Sequence, residues 1–155
     1  MVPVKDVMTT EVVSFREDTP VGVVAAGLSN GKITGAPVVT EEGYVVGIVS
    51  ESDVFSKRGA VARDIMSPQV ISINEDTGID EAARLLVGER IRRLPVLRQG
   101  RLVGLLSRSD VLGFFATRVW TCSTCGHGEH GLQSPERCGA CSSSEFTLER
   151  AHPRQ

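Results

Sequence analysis

Residues 47–55 read GIVSESDVF, and residues 104–112 read GLLSRSDVL. Each stretch runs from a glycine through an apolar segment into Ser-x-Ser-Asp. The echo extends outward. VKDVMTTEVVSFREDTPV (4–21) aligns with ARDIMSPQVISINEDTGI (62–79) at an offset of 58. ITGAPVVTEEGYVVGIVSESDV (33–54) aligns with IRRLPVLRQGRLVGLLSRSDV (91–111), and the offset falls to 57 where TEEG shortens to RQG. So many matches in one order establish an internal repeat, and a repeat governs every later assignment.

Each copy carries the same local signals. A short apolar strand is predicted first, over 12–15 and 70–73. An Asp-Thr pair follows, with Thr19 as a helix N-cap and Pro20 at the first helical position. The first helix is predicted over 20–29, closed by Gly31 in the left-handed conformation. In the second copy Ala82, Leu85, Leu86 and Ile91 fall near helical spacing. Two strands come next, joined by turns at Gly43 and Gly100, and a last helix begins at Ser-x-Ser-Asp. The expected fold class is α/β (α+β), two pseudo-symmetric β-α-β-β-α repeats packed as one module. One copy of about 55 residues is small for an independent core.

The 155 residues carry a net charge of −2 and 5% aromatics, so the core is aliphatic. Residues 1–115 hold 13 basic and 15 acidic side chains, and the tail holds four of each. Neither part is a basic nucleic-acid surface. The longest apolar run, 21–28, is too short to span a bilayer. The N-terminus has no basic segment followed by an apolar one, so no signal peptide is read and a cytoplasmic location is expected. Thiols are reduced there, and four cysteines then point to metal.

The order D-[VI]-M … DT … P-V … G-h-[VL]-S-x-S-D-V, present twice, resembles a tandem pair of cystathionine-β-synthase (CBS) domains, a Bateman module. The resemblance covers residues 1 to about 115. It implies binding of an adenosine-containing small molecule (AMP, ADP, ATP or S-adenosylmethionine) in clefts between the repeats. It also implies a homodimer built on exposed helix faces. On the motif helices Val54, Phe55, Val111, Leu112 and Phe115 exceed what one small sheet sandwich needs to cover, and they are the candidate apolar residues.

The repeated motif suits such a ligand. A helix start offers free N–H groups and a positive dipole end to an anion. Ser50 and Ser52, or Ser107 and Ser109, add hydroxyl donors. Asp53 or Asp110 can accept from ribose hydroxyls, as acidic residues do in other nucleotide sites. Helix capping alone would use the same residue types. The copies differ in charge. Arg93 and Arg108 stand where the first copy has Gly35 and Glu51, and an arginine pairs with phosphate where a glutamate repels it. The resemblance implies that the basic residue at Arg93 reaches the phosphates.

After Trp120 the sequence changes character. Cys122-x2-Cys125 and Cys138-x2-Cys141 can close a tetrahedron of thiolates around Zn2+. Gly126 and Gly139 would allow tight knuckles. The segment resembles a zinc ribbon of rubredoxin type, and iron remains open through the same four-sulfur geometry. The second knuckle, CGACS, lacks the proline common in rubredoxins. His127 and His130 lie between the pairs and could substitute as ligands; with four cysteines available they read as exposed loop residues. GHGEHG (126–131) matches a dinucleotide-binding pattern but follows a knuckle, so that reading fails its context.

The expected division is CBS repeat 1 at 1–58, CBS repeat 2 at 59–117 and a zinc ribbon at 118–155. The expected function is a non-enzymatic regulatory sensor of an adenine nucleotide, with a structural ribbon facing an unknown protein partner. No Ser-His-Asp or Cys-His set has supporting context. The competing class is an iron electron carrier or nucleic-acid adaptor centred on the ribbon. Four arginines offset by four glutamates in the tail weigh against the adaptor.

Overall fold

Apolar β-branched runs bounded by turn residues form the strands, and the segments between them coil. The computed structural model describes residues 1–151; residues 152–155 of the tail, with Arg154, lie outside the described residues. The first copy contains β1 (Phe15–Arg16), α1 (Val21–Gly31), β2 (Gly35–Val39), β3 (Val45–Ser50) and α2 (Glu51–Ser56). A short helix, α3 (Ala62–Ile65), opens the second copy. It continues with β4 (Ile73–Asn74), α4 (Ile79–Gly88), β5 (Arg93–Arg98), β6 (Arg101–Ser107) and α5 (Arg108–Thr117). The tail follows as β7 (Arg118–Cys122), β8 (Gly128–Glu129) and β9 (Phe146–Arg150). This is the expected α+β repeat, β-α-β-β-α twice.

Two sheets have equivalent topology, β1-β2-β3 and β4-β5-β6. In each, the first strand is parallel to the second: Phe15 lies opposite Val38, and Ile73 opposite Val96. That parallel step needs a crossover, which α1 and α4 supply. β2 and β3 form an antiparallel hairpin, with Pro37 opposite Ile48. Its turn places Gly43 at φ +94°, and the matching turn places Gly100 at φ +80°, a region closed to most L-residues.

Local details depart from the expected limits. The first strands hold two residues each, because only Phe15–Arg16 and Ile73–Asn74 find a ladder partner. Pro20 occupies the N-cap of α1, while the Thr19 hydroxyl accepts the Arg16 N–H at 3.0 Å. Gly31 ends the helix in helical conformation, and Lys32 takes the left-handed position at φ 51°. Ile91 lies beyond the end of α4.

By chain contacts the protein divides into two units. One comprises 9–75 and 95–105; the other comprises 1–8, 76–94 and the chain from 106 onward. The leading segments account for part of this interleaving. Val4 N–H donates to Thr77 O (2.8 Å) and Ile79 N–H to Val2 O (2.9 Å), so residues 1–8 lie on the second copy. Equivalently, Ala62 N–H donates to Thr19 O (2.8 Å) and Val21 N–H to Ala60 O (3.0 Å), so the segment around α3 lies on the first copy. Each leading segment also bridges a motif strand: Ser67 with Ile48, and Thr9 with Leu105. Gly47, the motif glycine, makes room for this. A Cβ there would sit 2.9 Å from Ser67 O and 2.6 Å from Met66 Sδ.

The core of the first unit gathers Phe15, Val24, Leu28, Ala36, Val38, Val49, Ala62 and Ile65. In the other unit Val4, Ile79, Ala82, Leu86, Leu94, Leu106, Val111 and Phe114 are buried. Val111 is thus a core residue, unavailable to an exposed dimer face, because it points inward from α5. Among the described residues no helix is long and apolar enough to cross a membrane.

Candidate functional site

The two Ser-x-Ser-Asp motifs fold alike. Ser50 is the N-cap of α2: its hydroxyl accepts the Asp53 N–H at 3.2 Å, and the Asp53 carboxylate accepts the Ser50 N–H at 2.8 Å. Ser107 caps α5 in the same reciprocal way, at 3.1 and 2.9 Å. Both serines therefore end a strand and start a helix, because this pairing satisfies donors that a helix start leaves open. Capping thus accounts for Ser50, Asp53, Ser107 and Asp110. Ser52 and Ser109, in the first turns of α2 and α5, are exposed.

The copies diverge around this shared cap. Asp53 also holds the Lys57 ammonium at 2.8 Å. Burial pushes the Asp53 carboxyl up, but Lys57 and the N–H and hydroxyl of Ser50 outweigh it and hold the group below the usual carboxylate value. In the second copy the position of Lys57 is taken by Phe114, which brings no charge. Arg108 turns away from the motif's helix: its Nη2 donates to Leu86 O at 2.8 Å and its Nε to Ile91 O at 3.2 Å. It thereby covers one carbonyl in the last turn of α4 and one just beyond it, a favourable place for a cation. Arg93 is half-buried as the first residue of β5.

The first motif borders a cavity of about 520 Å3 lined by Leu28, Lys32, Ile33, Thr34, Glu51 and Phe55, among others. Part of its lining is an apolar seam, Ala25 and Leu28 of α1 with Val54 and Phe55 of α2.

The four cysteines come together. All four sulfurs lie within 4.8 Å of one another. Cys122 and Cys141 are 3.6 Å apart, as are Cys125 and Cys138. A tetrahedral site with Zn–S bonds of 2.3 Å has edges of about 3.8 Å, so the donor set fits such an ion. The two knuckles are built identically. Gly126 N–H donates to Cys122 O and Ser142 N–H to Cys138 O, both at 2.9 Å. Cys122 N–H donates to His127 O at 2.8 Å and Cys138 N–H to Ser143 O at 2.7 Å. The left-handed residue is Gly126 (φ +80°) in the first knuckle and Ser142 (φ +65°) in the second. The expected role of Gly139 passes to Ser142, one place after the last cysteine.

The thiols are electrostatically uneven. The N–H groups of Cys125 and Thr124 favour the Cys122 thiolate against burial and bring it down to about 6. Cys141 is pushed up to about 12: the Ser143 N–H favours its thiolate, but burial and the sulfurs of Cys122, Cys125 and Cys138 outweigh it. A bound cation would reverse that repulsion. His127 and His130 stand outside the cluster of sulfurs. His130 instead meets the end of α5, a contact that no sequence signal announced.

Ser142 yields a test. An L-residue in the left-handed region costs about 1–2 kcal/mol, and glycine returns part of that as lost chain entropy. Ser142→Gly is expected to stabilise the metal-bound tail by about 1 kcal/mol. Chelator titration would show it as tighter metal retention; weaker retention would contradict it.

Comparison with known proteins agrees with the repeated motif. The profile of the CBS domain matches residues 4–59 and again 62–117. The inosine-5′-monophosphate dehydrogenase of Thermoplasma acidophilum is 34% identical over 108 residues, 68% of this chain. The match spans 22% of that enzyme's length. The structure of CBSX2 of Arabidopsis thaliana in complex with AMP superposes with a TM-score of 0.70 at 30% identity, covering 73% of this chain and 95% of that one. The CBS pair of protein MJ0100, in complex with 5′-methylthioadenosine and S-adenosylmethionine, gives 0.67 at 25%, covering 74% and 96%. With two matched copies, two equivalent sheets and a capped Ser-x-Ser-Asp helix in each, the chain belongs to the CBS-domain family as a tandem pair.

Proposed function

We propose that the protein is a non-enzymatic regulatory sensor. Its CBS pair binds an adenosine-containing ligand, and its tail is a four-cysteine zinc ribbon that meets a protein partner. The proposed organisation is CBS repeat 1 at 1–58, CBS repeat 2 at 59–117 and the ribbon at 118–155. The observation that carries the reading is the likeness, at 30% identity, to a CBS pair whose structure holds AMP. The related pair holding S-adenosylmethionine keeps the ligand class at adenosine compounds.

The second motif is the stronger proposed site. Its Asp110 carboxylate caps α5, and a carboxylate offers about four lone-pair positions, so capping and ribose contact are compatible. Arg93 supplies the phosphate-binding charge, and the first copy has Gly35 in its place. The assigned nucleotide-binding residues are Ser107, Ser109, Asp110, Arg93 and Arg108, with Ser50, Ser52 and Asp53 as the weaker set. Metal binding is assigned to Cys122, Cys125, Cys138 and Cys141. Calorimetry with AMP on the metal-loaded chain tests the reading, and absence of binding would refute it.

The proposed assembly is a symmetric homodimer, the commonest closed solution for self-complementary faces. Phe55 is 83% exposed and Leu112 is 69% exposed, at equivalent positions of the two copies. The apolar seam beside Phe55 gives a second copy a place to bury it. Light scattering is expected to report a dimer, and Phe55→Asp with Leu112→Asp a monomer. A wild-type monomer at high micromolar concentration would contradict this.

A further inference from the structure

We infer that the ribbon acts as the C-terminal cap of α5 and, through that helix, tunes the ligand site proposed at its N-terminus. The inference rests on the nucleotide reading above. A helix leaves its last four carbonyls without partners inside it. At α5 the tail supplies partners for two of them, those of Phe115 and Thr117. His130 Nδ1 lies 2.7 Å from Phe115 O and 2.9 Å from Arg118 O. Both neighbours are acceptors, so this nitrogen carries the proton and donates to them. The His130 ring stacks on Phe115, with centroids 5.5 Å apart. Ala151, just past β9, donates its N–H to Thr117 O at 2.8 Å.

The same helix joins the two sites covalently. Its N-cap is Ser107, and its last residue, Thr117, runs without a linker into β7, whose final residue is Cys122. His130 follows β8, which is held by pairing with β7. Trp120 Nε1 donates to Gly131 O at 3.0 Å and fixes the loop beside His130. Among the described residues of the tail, those buried are Trp120, Cys122 and Cys138, so metal ligation carries most of its order. Two states follow. With metal bound, the end of α5 is covered; without it, His130 and Ala151 leave and the last turn frays. α5 has ten residues, and helix order is cooperative over that length. Fraying therefore loosens the N–H groups and shortens the dipole offered at Ser107–Asp110. Metal and ligand are expected to tighten each other by one common factor, since coupling is reciprocal.

The test uses the full chain loaded with zinc, AMP as ligand and a chelator in competition. Saturating AMP is expected to raise zinc affinity about five-fold or more, and zinc removal to weaken AMP by the same factor. His130→Ala keeps all four cysteines and is expected to retain one zinc per chain while the coupling factor falls toward one. A residue with only a structural role would lower both affinities and leave the factor unchanged. If wild-type protein binds AMP but its coupling factor is one, or if His130→Ala keeps the wild-type factor, the inference is overturned and the nucleotide reading stands. If AMP does not bind at all, the nucleotide reading falls and the inference falls with it.

Discussion

Cys138→Ser, or removal of metal by chelation, is expected to unfold residues 118–151 while sheets β1-β2-β3 and β4-β5-β6 remain. The tail has almost no apolar core: among its described residues the buried side chains are Trp120 and two of the four cysteines. Three short strands around such a core cannot offset chain entropy. Metal ligation can, because structural zinc contributes about 10–16 kcal/mol in isolated zinc-finger peptides. The four sulfurs lie within 4.8 Å of one another, and thiolates that close repel unless a cation sits among them. Hydrogen exchange of the variant should show full exposure of amides in β7, β8 and β9, with protection kept in β2 and β3. Metal analysis of anaerobically purified wild-type protein should give one ion per chain, and a colourless solution separates zinc from iron. A metal content near zero with an ordered tail would refute the site.

Arg93→Ala is expected to weaken AMP roughly ten- to hundredfold and adenosine far less. A lost charge-assisted hydrogen bond costs about 1.5–3 kcal/mol, which is that range in affinity. Only AMP carries the phosphate. Arg108 is committed to Leu86 O and Ile91 O, so the charge contrast between the copies falls mainly on Arg93. Asp110→Asn is the companion variant: its amide oxygen keeps the cap on α5, so a loss reports the ribose contact. It should weaken AMP and adenosine alike. Calorimetry on both variants with both ligands separates the roles. Equal loss of AMP and adenosine in Arg93→Ala would remove the arginine from the phosphate site.

The repeat, the hairpins and the cysteine cluster were legible because each rests on local rules. Glycine at a tight turn placed Gly43 and Gly100, and paired C-x-x-C spacing placed the four sulfurs. The Ser-x-Ser-Asp motif was legible as a helix start for the same reason. What escaped was set by distant partners. The brevity of β1 depends on how much of it meets β2. The exchange of leading segments pairs Val4 with Thr77 and Ala62 with Thr19, and no period in the sequence encodes that. The charge of Arg108 is plain in the sequence, but its bonds to Leu86 O and Ile91 O depend on where the fold brings the end of α4. In the sequence His130 is an exposed loop residue, and only the fold of β7 and β8 brings it to α5. Lys32 and Ser142 adopt left-handed backbone without being glycine, because the hydrogen bonds around them dictate the turn.

The central claim is that this CBS pair holds an adenosine ligand, and the most direct measurement is calorimetric titration of the zinc-loaded full chain with AMP, with S-adenosylmethionine as competitor. Saturable binding of at least one AMP per chain is expected, displaced by S-adenosylmethionine and lost stepwise in Asp110→Asn and Arg93→Ala. No heat of binding and no saturation at millimolar AMP, with S-adenosylmethionine equally silent, would contradict it.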